Sequence, residues 1–139
     1  MIVLDTNILS EMVRPTPEPR VLDWLAAQPR ASVFTTTVTR AELLYGVRVL
    51  PDGKRQSELL SAIRAILDEE FAGQVLAFDT DAADAFALIA ATRKHSGQPI
   101  SQFDAMIAGI AHSRGAGVAT RNAGDFLDCG IEITNPWTD

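Results

Sequence analysis

Five short apolar runs punctuate the chain: Ile2-Val3-Leu4, Val33-Phe34-Thr35-Thr36, Val75-Leu76-Ala77-Phe78, Gly117-Val118-Ala119-Thr120 and Ile131-Glu132-Ile133. Each is short and rich in β-branched or aromatic residues, as a buried strand requires. Between them the apolar positions switch to helical spacing. Ile8, Leu9 and Met12 follow Asp5-Thr6-Asn7, and Pro19 opens a helix through Trp24 that Pro29 closes. Thr37 or Thr39 is placed to cap a third helix carrying Ala41, Leu44, Tyr45 and Arg48, which Pro51-Asp52-Gly53 stops. A polar helix then carries Leu59, Leu60, Ile63, Ile66 and Leu67 on one stripe. Two more amphipathic helices follow, one with Ala82, Ala85, Phe86, Ile89 and Ala90, ended by Gly97, the other with Phe103, Met106, Ile107, Ile110 and Ala111, ended by Gly115.

Strands alternating with helices, without hairpin turn signals, predict an α/β domain whose mainly parallel sheet is covered on both faces. The 139 residues are expected to form one domain, 1–139. Ligands of such sheets bind beyond the carboxyl ends of the strands. That rule singles out Asp5, the Thr35 to Glu42 segment and the Thr120 to Asp125 segment.

Composition narrows the chemistry. Twelve basic against eighteen acidic residues give a formal net charge of −6, which opposes non-specific binding to nucleic acids or anionic membranes. The single cysteine, Cys129, allows no intrachain disulfide and is expected to be a buried structural thiol. No targeting segment or membrane-length apolar run is recognisable, so a cytoplasmic location is expected.

The acids invite two readings. Asp5, Thr39-Arg40-Ala41-Glu42, Ser101-Gln102-Phe103-Asp104 and Asn122-Ala123-Gly124-Asp125 all suit helix caps. Yet every one of them falls at a strand-to-helix junction or in a first helical turn, where this fold class places ligand groups. Gly46 and Ala108, one turn beyond Glu42 and Asp104, leave space beside both carboxylates unless they serve close helix packing. If Asp5, Glu42 and Asp104 converge, two unit charges ~4 Å apart repel by about 4 kcal/mol at an effective dielectric of about 20, so the cluster must take up protons or a cation. His95, His112 and Cys129 lack zinc spacing, and oxygen-only ligands select Mg²⁺ or Mn²⁺. A carboxylate-held Mg²⁺ suits phosphodiester hydrolysis. Arg14, Arg20, Arg40 and Arg121 are candidates for phosphate contacts, with solvated surface arginines as the plain alternative.

Four segments, in order, resemble the motifs of PIN-domain nucleases of the VapC and FitB-like toxin type: Ile2 to Ser10, Thr37 to Gly46, Phe103 to Ala111 and Thr120 to Phe126. The resemblance spans essentially the whole chain. It implies a compact three-layer α/β/α domain that cleaves RNA with Mg²⁺ or Mn²⁺ and that usually forms a homodimer. Asp5 and Asp104 map onto metal ligands, Glu42 onto the third acid and Thr6 onto a supporting residue. Asn122 stands where some members carry Asp, with Asp125 nearby; Gly109 replaces a frequent alanine, a change expected to matter little. The resemblance also implies a small inhibitory antitoxin as partner. The helices at Pro19 to Gln28 and Asp52 to Glu69 are candidates to receive it through Trp24, Leu59 and Ile63. The alternatives are a non-catalytic protein-binding module on a nuclease-like fold, a phospho-receiver or phosphatase using Asp5 as nucleophile, and a nuclease acting on DNA.

Overall fold

The computed structural model describes residues 1–139. Its five strands are β1 (Ile2–Leu4), β2 (Val33–Thr36), β3 (Val75–Leu76), β4 (Gly117–Ala119) and β5 (Ile133–Thr134). They form one sheet in the order β3-β2-β1-β4-β5, with every pair parallel. Six helices connect them: α1 (Thr6–Met12), α2 (Pro19–Ala27), α3 (Thr37–Arg48), α4 (Lys54–Ala65), α5 (Thr80–His95) and α6 (Gln102–Ser113). No helix is long and apolar enough to cross a membrane.

Two hydrophobic cores explain the three layers. Successive strand residues point to opposite faces. Accordingly Val3 and Val118 join Ile107, Ile110, Ala111 and Phe126 on the α5–α6 side, while the next residues, Leu4 and Ala119, join Ile8, Leu9, Leu43, Val47 and Leu67 on the α1–α4 side. A parallel sheet buried on both faces is what the near-continuous apolar strands demand.

The chain reverses its direction of sheet growth between β1 and β4. Strands β2 and β3 are added on one side of β1, and β4 and β5 on the other. The carboxyl ends of β1 and β4 flank this reversal, the usual ligand position in open α/β sheets. Asp5 and Thr120 follow those two strands directly.

Several local expectations shift. Thr36, the last residue of β2, caps α3 by accepting from the Thr39 backbone N–H at 3.0 Å, so neither Thr37 nor Thr39 does. Three consecutive threonines offer equivalent hydroxyls, and only the backbone turn selects among them. The third strand stops at Leu76 rather than Phe78, and the last is displaced to Ile133–Thr134. Ile66 and Leu67 leave the regular helix for a π-helical turn, Ile66–Glu70, that still buries both side chains.

Gly109 departs most clearly from expectation. A Cβ at this position would lie 2.7 Å from the Ala82 carbonyl oxygen and 2.9 Å from the Phe86 nitrogen. The backbones of α5 and α6 cross here, so the missing side chain is a packing requirement. Gly46, by contrast, would meet nothing within 4 Å; close packing does not explain it.

Candidate active site

Asp5 ends β1 and caps α1, and this double role fixes its carboxylate. Oδ1 accepts from the Thr6 backbone N–H at 2.7 Å. Oδ2 accepts from the Thr120 hydroxyl at 2.8 Å and from Asn7 Nδ2 at 3.1 Å. The residue is 5% exposed. Burial, the largest influence, pushes its pKa up to about 6 even though the Thr120 hydroxyl and Thr6 N–H favour the charged form; the charges of Asp104 and Glu42 raise it further.

Glu42 projects from the second turn of α3 and is tied to α1. The Thr6 hydroxyl donates to its Oε1 at 2.8 Å and lies 3.0 Å from the Thr39 hydroxyl. Burial raises the Glu42 pKa, the Thr6 hydroxyl opposes this, and Asp104 adds repulsion. Asp104 lies in the first turn of α6, where its backbone N–H donates to the Ser101 cap at 3.2 Å. Burial raises its pKa as well, with Ser101 opposing and the charge of Asp125 reinforcing.

Three carboxylates on three different elements therefore sense one another, and all three titrate upward. None of the five ion pairs in the structure includes them. The capping readings and the site reading coexist: Asp5 caps α1 while facing Asp104 and Glu42. Asn122 is less engaged. Its backbone N–H donates to the Thr120 hydroxyl at 3.0 Å, but its side chain makes no capping bond to the short 3₁₀ helix Ala123–Phe126.

Asn7 and Thr120 received no role from the sequence. Asn7 Nδ2 bonds both Asp5 and Thr120, and Asn7 Oδ1 accepts from the Arg121 N–H at 3.2 Å, which stitches the end of β1 to the end of β4. A signal was present, because Asn7 and Thr120 are polar residues three positions and one position past the strands that flank the sheet's switch point.

The rim arginines are engaged elsewhere. Arg14 pairs with Glu11 at 3.1 Å, Arg40 with Asp68 at 2.7 Å, Arg20 donates to the Thr138 carbonyl at 2.9 Å, and Arg121 lies 5.2 Å from the Trp137 ring centre. Of the apolar residues considered for a partner, Ile63 is buried in the core and unavailable. Trp24 is half-buried against the same core, and Leu59 lines a cleft with Ser10, Val13 and Glu58.

The donor set suits a hard divalent cation: all oxygen, desolvated, and without a neutralising base. No three Asp, Glu, His or Cys side chains form a ready-made cage. A hard cation such as Mg²⁺ ordinarily takes one or two protein carboxylates and retains waters, so it does not require such a cage.

Comparison with known proteins agrees with this geometry. The PIN domain family matches residues 2–129. The VapC ribonuclease Y4jK of Sinorhizobium fredii is 39% identical over 137 residues, 99% of this chain and 98% of its own length. Toxin FitB of Neisseria gonorrhoeae is 37% identical over 139 residues, 100% of both chains. The crystal structure of FitAcB from Neisseria gonorrhoeae superposes with a TM-score of 0.90 at 35% identity, covering 100% of each chain. A five-stranded parallel sheet with acids at its switch point, a matching family profile and full-length similarity to VapC- and FitB-named relatives converge, and the chain belongs to the PIN domain family.

Proposed function

We propose that this protein is a metal-dependent endoribonuclease, the toxin of a toxin–antitoxin pair, which hydrolyses RNA phosphodiester bonds at Asp5, Glu42 and Asp104. The observation that carries the reading is Asp5: a desolvated carboxylate at the end of the central strand, raised to about 6, with Asp104 and Glu42 as its charged neighbours and no cation paired to it. A purely structural cap has no use for that electrostatic cost. The ribonuclease and toxin names carried by full-length relatives support the same activity.

Asp5 and Asp104 would hold the ion, Mg²⁺ or Mn²⁺. When bound, it supplies Lewis acidity that lowers the pKa of a water and offsets charge on the phosphate. The chain does the positioning. Asn7, Thr120 and the Thr6 N–H fix the Asp5 carboxylate, leaving about one of its four lone-pair positions free of protein donors. Glu42, anchored through Oε1 alone, presents Oε2 to orient the attacking water and take its proton. Asn122 stands beside Thr120, where its amide would contact the substrate phosphate or ribose.

A ribonuclease that attacks its host's RNA needs an inhibitor, and a small antitoxin is the proposed partner. The net charge of −6 suits a basic peptide overall, and the cleft between α1 and α4, about 440 Å³ and lined by Val13, Leu59 and Ala62 beside Arg14, Arg55 and Glu58, would receive its apolar side chains. A homodimer and a cytoplasmic location belong to the same reading. The test is cleavage of a mixed RNA pool by antitoxin-free protein with Mg²⁺, with EDTA, and with Asp5→Ala. Cutting abolished by both EDTA and the substitution is expected.

A further inference from the structure

Arg121 follows Thr120 at the end of β4, and its main chain is held from both sides. Its N–H donates to Asn7 Oδ1 at 3.2 Å, and its carbonyl accepts from Asn135 Nδ2 at 3.2 Å. Asn7 also donates to Asp5 Oδ2 at 3.1 Å, so one side chain sets where Arg121 stands relative to the acid that ends the central strand. The guanidinium carbon lies 5.2 Å from the centre of the Trp137 ring, within reach of a cation–π contact. Trp137 is partly buried against the α1–α4 core. Its own N–H donates to Asn135 Oδ1 at 2.9 Å, and the Asn135 N–H donates to Asp139 Oδ2 at 2.8 Å. The ring is therefore a fixed platform.

What the guanidinium lacks is an acceptor. Arg14 is paired with Glu11, Arg40 with Asp68, and Arg20 donates to the Thr138 and Asp139 carbonyls. Arg121 is exposed, and none of the five ion pairs includes it. Stacking on Trp137 occupies a face of the guanidinium plane and leaves its N–H edges open. Such an edge matches two oxygens of a phosphate, and a side chain already held in place loses less freedom on binding one.

We propose that Arg121 clamps a backbone phosphate of the RNA beside the acidic site, and that Trp137 is the positioning residue that holds its guanidinium ready. The proposal rests on the ribonuclease reading and adds two residues to it. A phosphate contact carries no base information, so the clamp contributes affinity for any RNA sequence.

The test is the salt dependence of binding. Asp5→Asn protein in EDTA is titrated with a fluorescein-labelled single-stranded RNA at several KCl concentrations, alone and combined with substitutions at the two positions. Each phosphate that the protein neutralises contributes about 0.7 to the slope of log affinity against log salt for a single strand. Arg121→Gln should therefore flatten the slope by about that amount and weaken binding about tenfold, whereas Arg121→Lys should keep the slope and part of the affinity. Trp137→Leu should weaken binding about threefold with the slope retained, cost nothing further in the Arg121→Gln background, and be rescued by Trp137→Phe. Urea midpoints of the same variants separate this loss from lost folding. In Mg²⁺, the loss caused by Arg121→Gln should fall on KM rather than kcat. An unchanged slope in Arg121→Gln would overturn the clamp, and additive losses in the double variant would overturn the role of Trp137. A parent protein that binds no RNA at any salt concentration and cuts none overturns the ribonuclease reading itself, and the clamp with it.

Discussion

The Thr6 hydroxyl donates to Glu42 Oε1 at 2.8 Å, so the residue that follows Asp5 also holds the acid contributed by α3. One residue thereby links two of the three carboxylates, Asp5 through its backbone N–H and Glu42 through its hydroxyl. Thr6→Val preserves shape and removes that donor. RNA cleavage is expected to fall about 10- to 100-fold, mainly in kcat, with little change in thermal stability. Equal kcat for Thr6→Val and the parent would show that Glu42 needs no such anchor.

The raised pKa of Asp5 makes stability of the metal-free protein depend on pH. Between about 6 and its ordinary value of 3.8 the folded protein keeps this proton while the unfolded chain has lost it. The folded state then binds more protons, so stability is greatest at the acidic side of this window and falls as pH rises through about 6. Urea unfolding from pH 4 to pH 8 is expected to show this decline up to about pH 6 and a plateau above it, with a maximal slope of about 1.4 kcal/mol per pH unit per proton. Asp5→Asn should flatten it. Mg²⁺ should restore stability at pH 8 in the parent and not in the variant.

Gly109→Ala and Gly46→Ala are expected to move stability in opposite directions. The first drives a methyl group into the Ala82 carbonyl and the backbone of Phe86, an overpacking cost of about 1–3 kcal/mol or more. The second adds a better helix former in open space and should stabilise by roughly 0.5–1 kcal/mol. Denaturant midpoints of the two variants against the parent measure both.

Arg93 is 5% exposed and has no carboxylate partner. It donates to the carbonyls of Gln98, Asp125 and Leu127 and reaches the Cys129 sulfur at 3.6 Å. Buried among these groups, the Cys129 thiol is pushed up in pKa and matches the structural role its isolation in the sequence suggests. Arg93→Met leaves three carbonyls without their donor and should cost about 2–4 kcal/mol. Hydrogen exchange should quicken first across residues 122–129, the segment that carries Asn122 and Asp125.

How much of this was legible in the sequence depends on how far each feature reaches along the chain. Strand and helix periodicities are local, and they gave the parallel α/β sheet with helices on both faces. The switch-point rule then led to Asp5 and to the segments carrying Glu42 and Thr120. Features that need a second element were not legible. Gly109 looked incidental because its reason is the backbone of α5, more than twenty residues away. Thr36 was passed over as a cap because Thr37 and Thr39 offer the same hydroxyl. Arg14 and Arg40 looked free because Glu11 and Asp68 claim them only in three dimensions. Asn7 and Thr120 were in view within recognised motifs, but the bond that joins them crosses 113 residues.

The most direct test of the central claim is cleavage of a mixed pool of structured and single-stranded RNAs by antitoxin-free protein, with Mg²⁺, with EDTA, and with Asp5→Ala and Asp104→Ala. The expected result is cutting with Mg²⁺ that EDTA and each substitution abolish, alongside Mg²⁺ or Mn²⁺ binding by calorimetry that Asp5→Ala removes. A well-folded protein that binds neither ion and cuts no RNA would contradict the account and leave a protein-binding module on a nuclease fold.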